Sequence, residues 1–252
     1  MSTGQRAPGA WALTIVAALL TVGSAATDIM AFTRLGNVFA SVMTSNIVFL
    51  GLAAARHSGS LALHAAVSFA GYATGVLAGS RLARRPARAG AADAEASAGS
   101  GWTPWVVATL GAEAAVLIGF TIGWEVTGTH PSGGSEFLLI ALATVAMGLQ
   151  SAVVVVLDIS GVGTTYLTGT LTSLLDSLAS PGEERGTAKR RQANLRRAFA
   201  LSALVVGALL AGLLISAAPA AVPAIPLTTL AAVLLIGVTR LRTSASLKRS
   251  RG

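Results

Sequence analysis

The chain has 252 residues, of which 53% are hydrophobic and 11% charged, with a net charge of +8 and no cysteine. Soluble domains carry about 25% charged residues, and a mean hydropathy of +0.71 is more apolar surface than a soluble interior of this size can hide. The missing cysteines exclude disulfides, thiol catalysis and zinc–thiolate sites, and cations gathered in short loops, not on a face interleaved with aromatics, argue against nucleic acid.

Runs of about 20 apolar residues, the length that crosses a hydrocarbon core, recur along the chain. The first lies at 11–30. Arg6, an apolar stretch and Ser24, Ala25, Ala26 imitate a secretory signal. Cleavage there would strip a helix from in front of Asp28, so the segment reads as a membrane helix. Asp28 opens a polar, small-residue phrase that runs through Phe39 to Met43, Thr44, Ser45 and Asn46 and into an apolar tail, giving a helix over 38–55. Arg34 lies in this break, placed to neutralise Asp28, to greet an anionic substrate or to touch a headgroup.

A clear span follows at 61–80, with Gly71, Gly75 and Gly79 at four-residue spacing, a pattern that lets helix backbones approach. Its loop, 81–101, holds Arg81, Arg84, Arg85 and Arg88 and ends in a small-residue linker, 89–101. The span at 105–123 carries Glu113 near its middle, and Trp102, Trp105 and Trp124 bracket it as interfacial anchors. Residues 123–135 hold Glu125 and His130 but no lysine or arginine, which places them outside.

The span at 137–157 contains Gln150. Asp158 then opens a second polar phrase, running through Thr164 and Leu167 to Thr168, Gly169 and Thr170. Residues 164–180 hold eight serines or threonines and Asp176, too polar to face lipid. They read as a re-entrant or half-helix buried in protein. A basic loop, 181–197, precedes spans at 198–218 and 220–238, the last with Pro223 and Pro226 in its first turn. Arg242, Lys248, Arg249 and Arg251 lie in a basic tail, 241–252.

The positive-inside rule puts the loops at 81–101 and 181–197 and both termini in the cytoplasm. The outward segment and the basic loop after it are joined by an odd number of crossings, so 137–157 spans and 164–180 does not. By analogy 38–55 is the second broken element. The count becomes six crossings in one membrane domain, two units of three at about 11–123 and 136–240. Three is odd, so the second unit enters from the opposite side, as an inverted repeat. Ala203, Gly207 and Ala211 repeat the glycine spacing at an offset of 132, and Met43 to Asn46 align with Leu167 to Thr170 at an offset of 124.

The first phrase, the run from Ala146 to Ala152 (AMGLQSA) and above all Thr164 to Thr172 (TTYLTGTLT) resemble the YoaK-like family of bacterial membrane proteins, the domain of unknown function 1275. Members read Met-Thr-Gly-Asn in the first motif; Ser45 stands here for the glycine. The resemblance implies a bacterial inner-membrane protein of about six helices, spoken of as permease-like, with no substrate attached.

An acid at membrane depth is costly and marks a functional site by default. Asp28 and Asp158, opening the repeated phrases, read either as proton carriers or as caps on broken helices. Thr44, Asn46, Thr168, Thr170 and Gln150 read either as the lining of a polar midplane site or as partners for freed backbone groups. Glu113 and Arg34 are secondary candidates. The histidines, with no carboxylate at metal spacing, suggest no metal; no cofactor and no catalytic motif appear. The expectation is an all-α membrane permease for a small molecule or ion, with proton coupling as one form. It sits in the lipid bilayer with no nucleic-acid partner, and a homodimer is one way to seal its pathway. The alternative is a non-transporting scaffold or accessory subunit.

Overall fold

The computed structural model describes residues 10–84, 102–128, 130–157, 164–179 and 187–249. All regular structure among them is helical: α1 (Ala10–Arg34), α2 (Met43–Ala55), α3 (Gly59–Ala83), α4 (Pro104–Thr127), α5 (Gly134–Val156), α6 (Thr164–Ala179), α7 (Thr187–Ala217), a 3-10 turn (Pro219–Ala221) and α8 (Ala224–Arg249). Local chemistry explains the starts. The Ser58 hydroxyl accepts from Leu61 N to open α3, and Thr103 accepts from Val106 N ahead of Pro104 to open α4.

Six helices, α1, α3, α4, α5, α7 and α8, are long and apolar enough to cross a membrane. The 13 residues of α2 rise about 20 Å, short of the roughly 30 Å core. α1 and α5 are buried along most of their apolar lengths and form the centre; the other four are buried along about a third or less and flank them. Without a hydrophobic drive between helices inside lipid, close backbone contact must hold the bundle. A Cβ at Gly75 would fall 2.2 Å from the carbonyl oxygen of Val145, and one at Gly148 2.3 Å from that of Tyr72. α3 and α5 thus meet backbone to backbone. Gly207 of α7 makes the same kind of approach to α1, 2.5 Å from the Val22 carbonyl oxygen.

Directions follow from these contacts. Gly71, Gly75 and Gly79 meet Thr144, Gly148 and Ala152 in rising order, so α3 and α5 run parallel. Gly123 meets Leu139, so α4 runs against α5. Arg34, ending α1, bonds His130, and His64 in the second turn of α3 meets Glu136 in the first turn of α5. These residues mark one end of the bundle. Arg81, Arg84, Arg190, Arg191, Arg196, Arg197 and Arg240 lie towards the other. Pairings also recur. α3 packs on α5 as α7 packs on α1; α4 packs on α5 as α8 packs on α1; α2 packs on α3 as α6 packs on α7.

Several expected boundaries differ. The helix read over 38–55 begins only at Met43, because Gly36 and Asn37 adopt positive φ (72° and 59°) and turn the chain back. The basic residues from Arg190 to Arg197, expected in a loop, sit on the opening turns of α7, and the expected tail continues α8 to Arg249. Trp102 and Trp124, at the two ends of α4, are buried against the bundle: Trp102 lies over Gly237, and Trp124 Nε1 donates to the Pro219 carbonyl at 3.0 Å. The linker at 89–101 lies outside the described residues.

Candidate functional site

Residues 35–42 run back along α1 instead of leaving it. The turn at Gly36 lies against the His64 ring, where a Cβ would fall 2.2 Å from Cδ2. From there the chain descends to Ser41, whose hydroxyl is 3.1 Å from that of Ser24, halfway along the apolar stretch of α1. α2 starts at this depth and returns antiparallel to α3. The segment therefore enters and leaves at the same end of the bundle, and α2 is a half-helix whose amino end sits in the interior.

Backbone stripped of helical partners inside a membrane must bond to something. Asp28 supplies it. Its Oδ1 accepts from the backbone N–H of Ala40 (2.8 Å) and of Ser41 (2.7 Å), and its Oδ2 accepts from the Ser41 hydroxyl (2.5 Å). These amides lie just ahead of α2, where the helix dipole also favours a negative group. Asn46, fully buried in the second turn of α2, completes the joint. Its Oδ1 accepts from Phe39 N (2.9 Å), while Nδ2 donates to the Phe39 carbonyl and the Ser68 hydroxyl, both at 2.7 Å. The Ser68 hydroxyl also donates to Phe39 O. The cluster ties α1, the re-entrant segment, α2 and α3 together with every polar atom named here partnered.

Asn46→Asp is expected to be worse than Asn46→Ala. Aspartate keeps the bulk but faces its second oxygen against the acceptor at Phe39, whereas alanine only removes bonds. We expect a loss of about 2–4 kcal/mol for the aspartate and about 1–3 for the alanine, read by unfolding in detergent. Equal stabilities would overturn the donor assignment at Nδ2.

The other expected residues are distributed differently. Gln150 is buried on α5, and its Nε2 donates to the Leu20 carbonyl of α1 at 3.3 Å, two turns from Asp28. Thr170 is buried on α6. Thr44 and Thr168 stand on exposed faces and do not join the cluster, because one helical step rotates a residue by about 100°. Arg34 does not neutralise Asp28; it bonds His130 (2.8 Å) at the end of the bundle. Asp158 lies outside the described residues. Glu113 is buried in the middle of α4, and neither carboxyl oxygen has a hydrogen-bond partner among the described residues.

Sequence reasoning missed Ser24, Ser41 and Ser68, and the pairing of His64 with Glu136 at 3.3 Å. His64 Nδ1 lies 2.6 Å from the Ser60 carbonyl, an acceptor only, so Nδ1 carries hydrogen and Nε2 faces the carboxylate. The one local signal was spacing: Ser24 precedes Asp28 by a turn, and Ser68 precedes Gly71 on the packing face of α3. Among the described residues no group of three or more potential ligands could hold a metal.

Residues 16–236 match the family described as "Protein of unknown function (DUF1275)". The chain is also similar to the UPF0700 transmembrane protein YoaK of Bacillus subtilis (strain 168), 27% identical over 199 residues that cover 77% of this chain and 80% of that one. No solved structure matches.

Proposed function

The chain belongs to the DUF1275 family and is a membrane protein of several spans, and we propose that it is a permease for a small solute or ion, with a path between its two halves. The observation that carries this is the re-entrant segment. Interrupted helices with backbone at mid-membrane depth are where transporters build their sites, at the junction of inverted repeats. The recurrent pairings of the first and last three long helices support such a repeat, and buried Gln150, whose amide bonds the Leu20 carbonyl of the other half, puts a polar group at that junction. Most of the described arginines gather at one end, with Arg34 and Arg56 at the other, and this bias supports cytoplasmic termini. We propose no catalysis, and a homodimer as the sealed form.

The rival, a scaffold, has an observation in its favour: Asp28 is saturated by the segment it holds, as a structural joint would be. The absence of cysteine makes the choice testable. Single cysteines at the half-buried Val42 and Ser45 would be probed with an impermeant thiol reagent in proteoliposomes, with exposed His130 as the positive control. Labelling at 42 and 45 that is suppressed when one solute of a screen is added supports a water-filled site. Labelling at 130 alone overturns the permease reading in favour of the scaffold.

A further inference from the structure

We propose that Glu113 is a proton-binding site within the membrane: a neutral carboxylic acid that exchanges its proton from inside the bundle. The proposal names the coupling ion of the permease, and rests on that reading only for its use in transport.

Glu113 is the tenth residue of the 24 in α4, near mid-membrane, and 1% exposed. It belongs to the stripe Val106, Leu110, Glu113, Leu117, Phe120 and Trp124, spaced three or four apart, which is the buried face of α4. The carboxyl therefore points into the bundle and not into lipid. Among the described residues neither oxygen has a hydrogen-bond partner. The neighbours of α4 are α5, α8 and α3. None has a charged residue over its membrane length, at 137–156, 224–239 or 65–80. The amide of Gln150 is committed to Leu20. His64 Nδ1 is bonded to the Ser60 carbonyl and its Nε2 faces Glu136 at one end of the bundle, and Arg81, Arg84 and Arg240 sit towards the other.

An ionised carboxylate with no counter-charge and no donor costs several kcal/mol or more at this depth, whereas a neutral carboxyl left unpaired costs far less. The group is thus held as the acid. A structural role is also excluded by the same geometry, since it makes no bond that folding could use, and an apolar side chain would fill the position better. Such a group is a proton site without a partner, unlike Asp28, which is spent on its loop.

The test uses the whole protein in detergent and in proteoliposomes. The infrared difference spectrum between wild type and Glu113→Gln should contain the carbonyl band of a neutral carboxyl at neutral pH. That band should shift when the protein is moved into deuterium oxide, as O–H becomes O–D. A hydrophobic carbodiimide is the second probe. The acid's proton passes to a carbodiimide nitrogen while its oxygen bonds the central carbon. Migration of the acyl group to nitrogen then leaves an N-acylurea whose mass is the sum of both reactants. Peptide mapping should place this adduct on Glu113, with at least tenfold less in Glu113→Gln and in wild type at high pH. Glu113→Leu should unfold no earlier than wild type. Absence of the difference band overturns the neutral acid. A band that does not shift in deuterium oxide, or no adduct, overturns proton exchange, and early unfolding of Glu113→Leu restores a structural role. Solute flux that fails while the band shifts and the adduct forms would remove the permease reading and leave the proton site intact.

Discussion

Asp28→Ala should lower stability by about 3–9 kcal/mol, because two backbone amides and one hydroxyl lose their acceptor in a buried place, at about 1–3 kcal/mol each. Against a total of about 5–15 kcal/mol this is enough to empty the folded state of a marginal protein. Side-chain hydrogen bonds measured in bilayers are often weaker. The donors here include backbone groups of a segment with no other means of staying inside, which places the effect at the upper part of the range. Asp28→Asn should cost less. Its oxygen can keep the two amides, and the Ser41 hydroxyl can turn to accept from the new Nδ2. Thermal or denaturant unfolding of the purified protein in detergent reads both. If alanine is tolerated and asparagine is not, the charge matters and the bonds do not, which is the reverse of the structural argument.

Gly75→Leu should prevent α3 from closing on α5, and Gly148→Ala should weaken that contact. A Cβ at either place meets three backbone atoms within 3.0 Å, and backbone cannot rotate away as a side chain can. At Gly75 the atoms are Val145 O, Gly148 Cα and Leu149 N; at Gly148 they are Tyr72 O, Val76 N and Gly75 Cα. Overpacking typically costs about 1–3 kcal/mol, more where neighbours cannot yield. The leucine should exceed that range and abolish the folded yield, while the alanine should cost about 2–3 kcal/mol. Gly111 and Gly119 of α4 provide the contrast, since no atom lies within 4 Å of an added Cβ. Alanine there should be neutral or stabilise by up to about 1 kcal/mol through helix propensity. Unfolding temperatures of the four variants decide the matter. A Gly148→Ala protein as stable as Gly111→Ala would mean the two backbones do not meet.

The residues picked out by sequence fall into three groups, and the division has a physical basis. Asp28, Asn46, Gln150 and Glu113 were visible because a polar side chain inside an apolar run is anomalous wherever it occurs. Whether each is satisfied was not visible. The partners of Asp28 lie 12 and 13 residues onward, reached only because the chain reverses at Gly36 and Asn37. His64 and Glu136 stand 72 positions apart and meet only because α3 and α5 run parallel. Thr44 and Thr168 matched their neighbours in chemistry but stand on the outward side of their helices, and no local pattern reports helix rotation when every flank is apolar.

The membrane class and the six spans were determined by the sequence alone, since an apolar run of sufficient length is a local property that the bilayer reads directly. The second helix, read over 38–55, is instead cut to Met43–Ala55 by the chain reversal at Gly36 and Asn37. Tertiary structure decided which faces met, where the interrupted backbone found its partners and that the Glu113 carboxyl was left without one. These depend on where a glycine on one helix lets another backbone arrive, and that contact belongs to two distant segments at once.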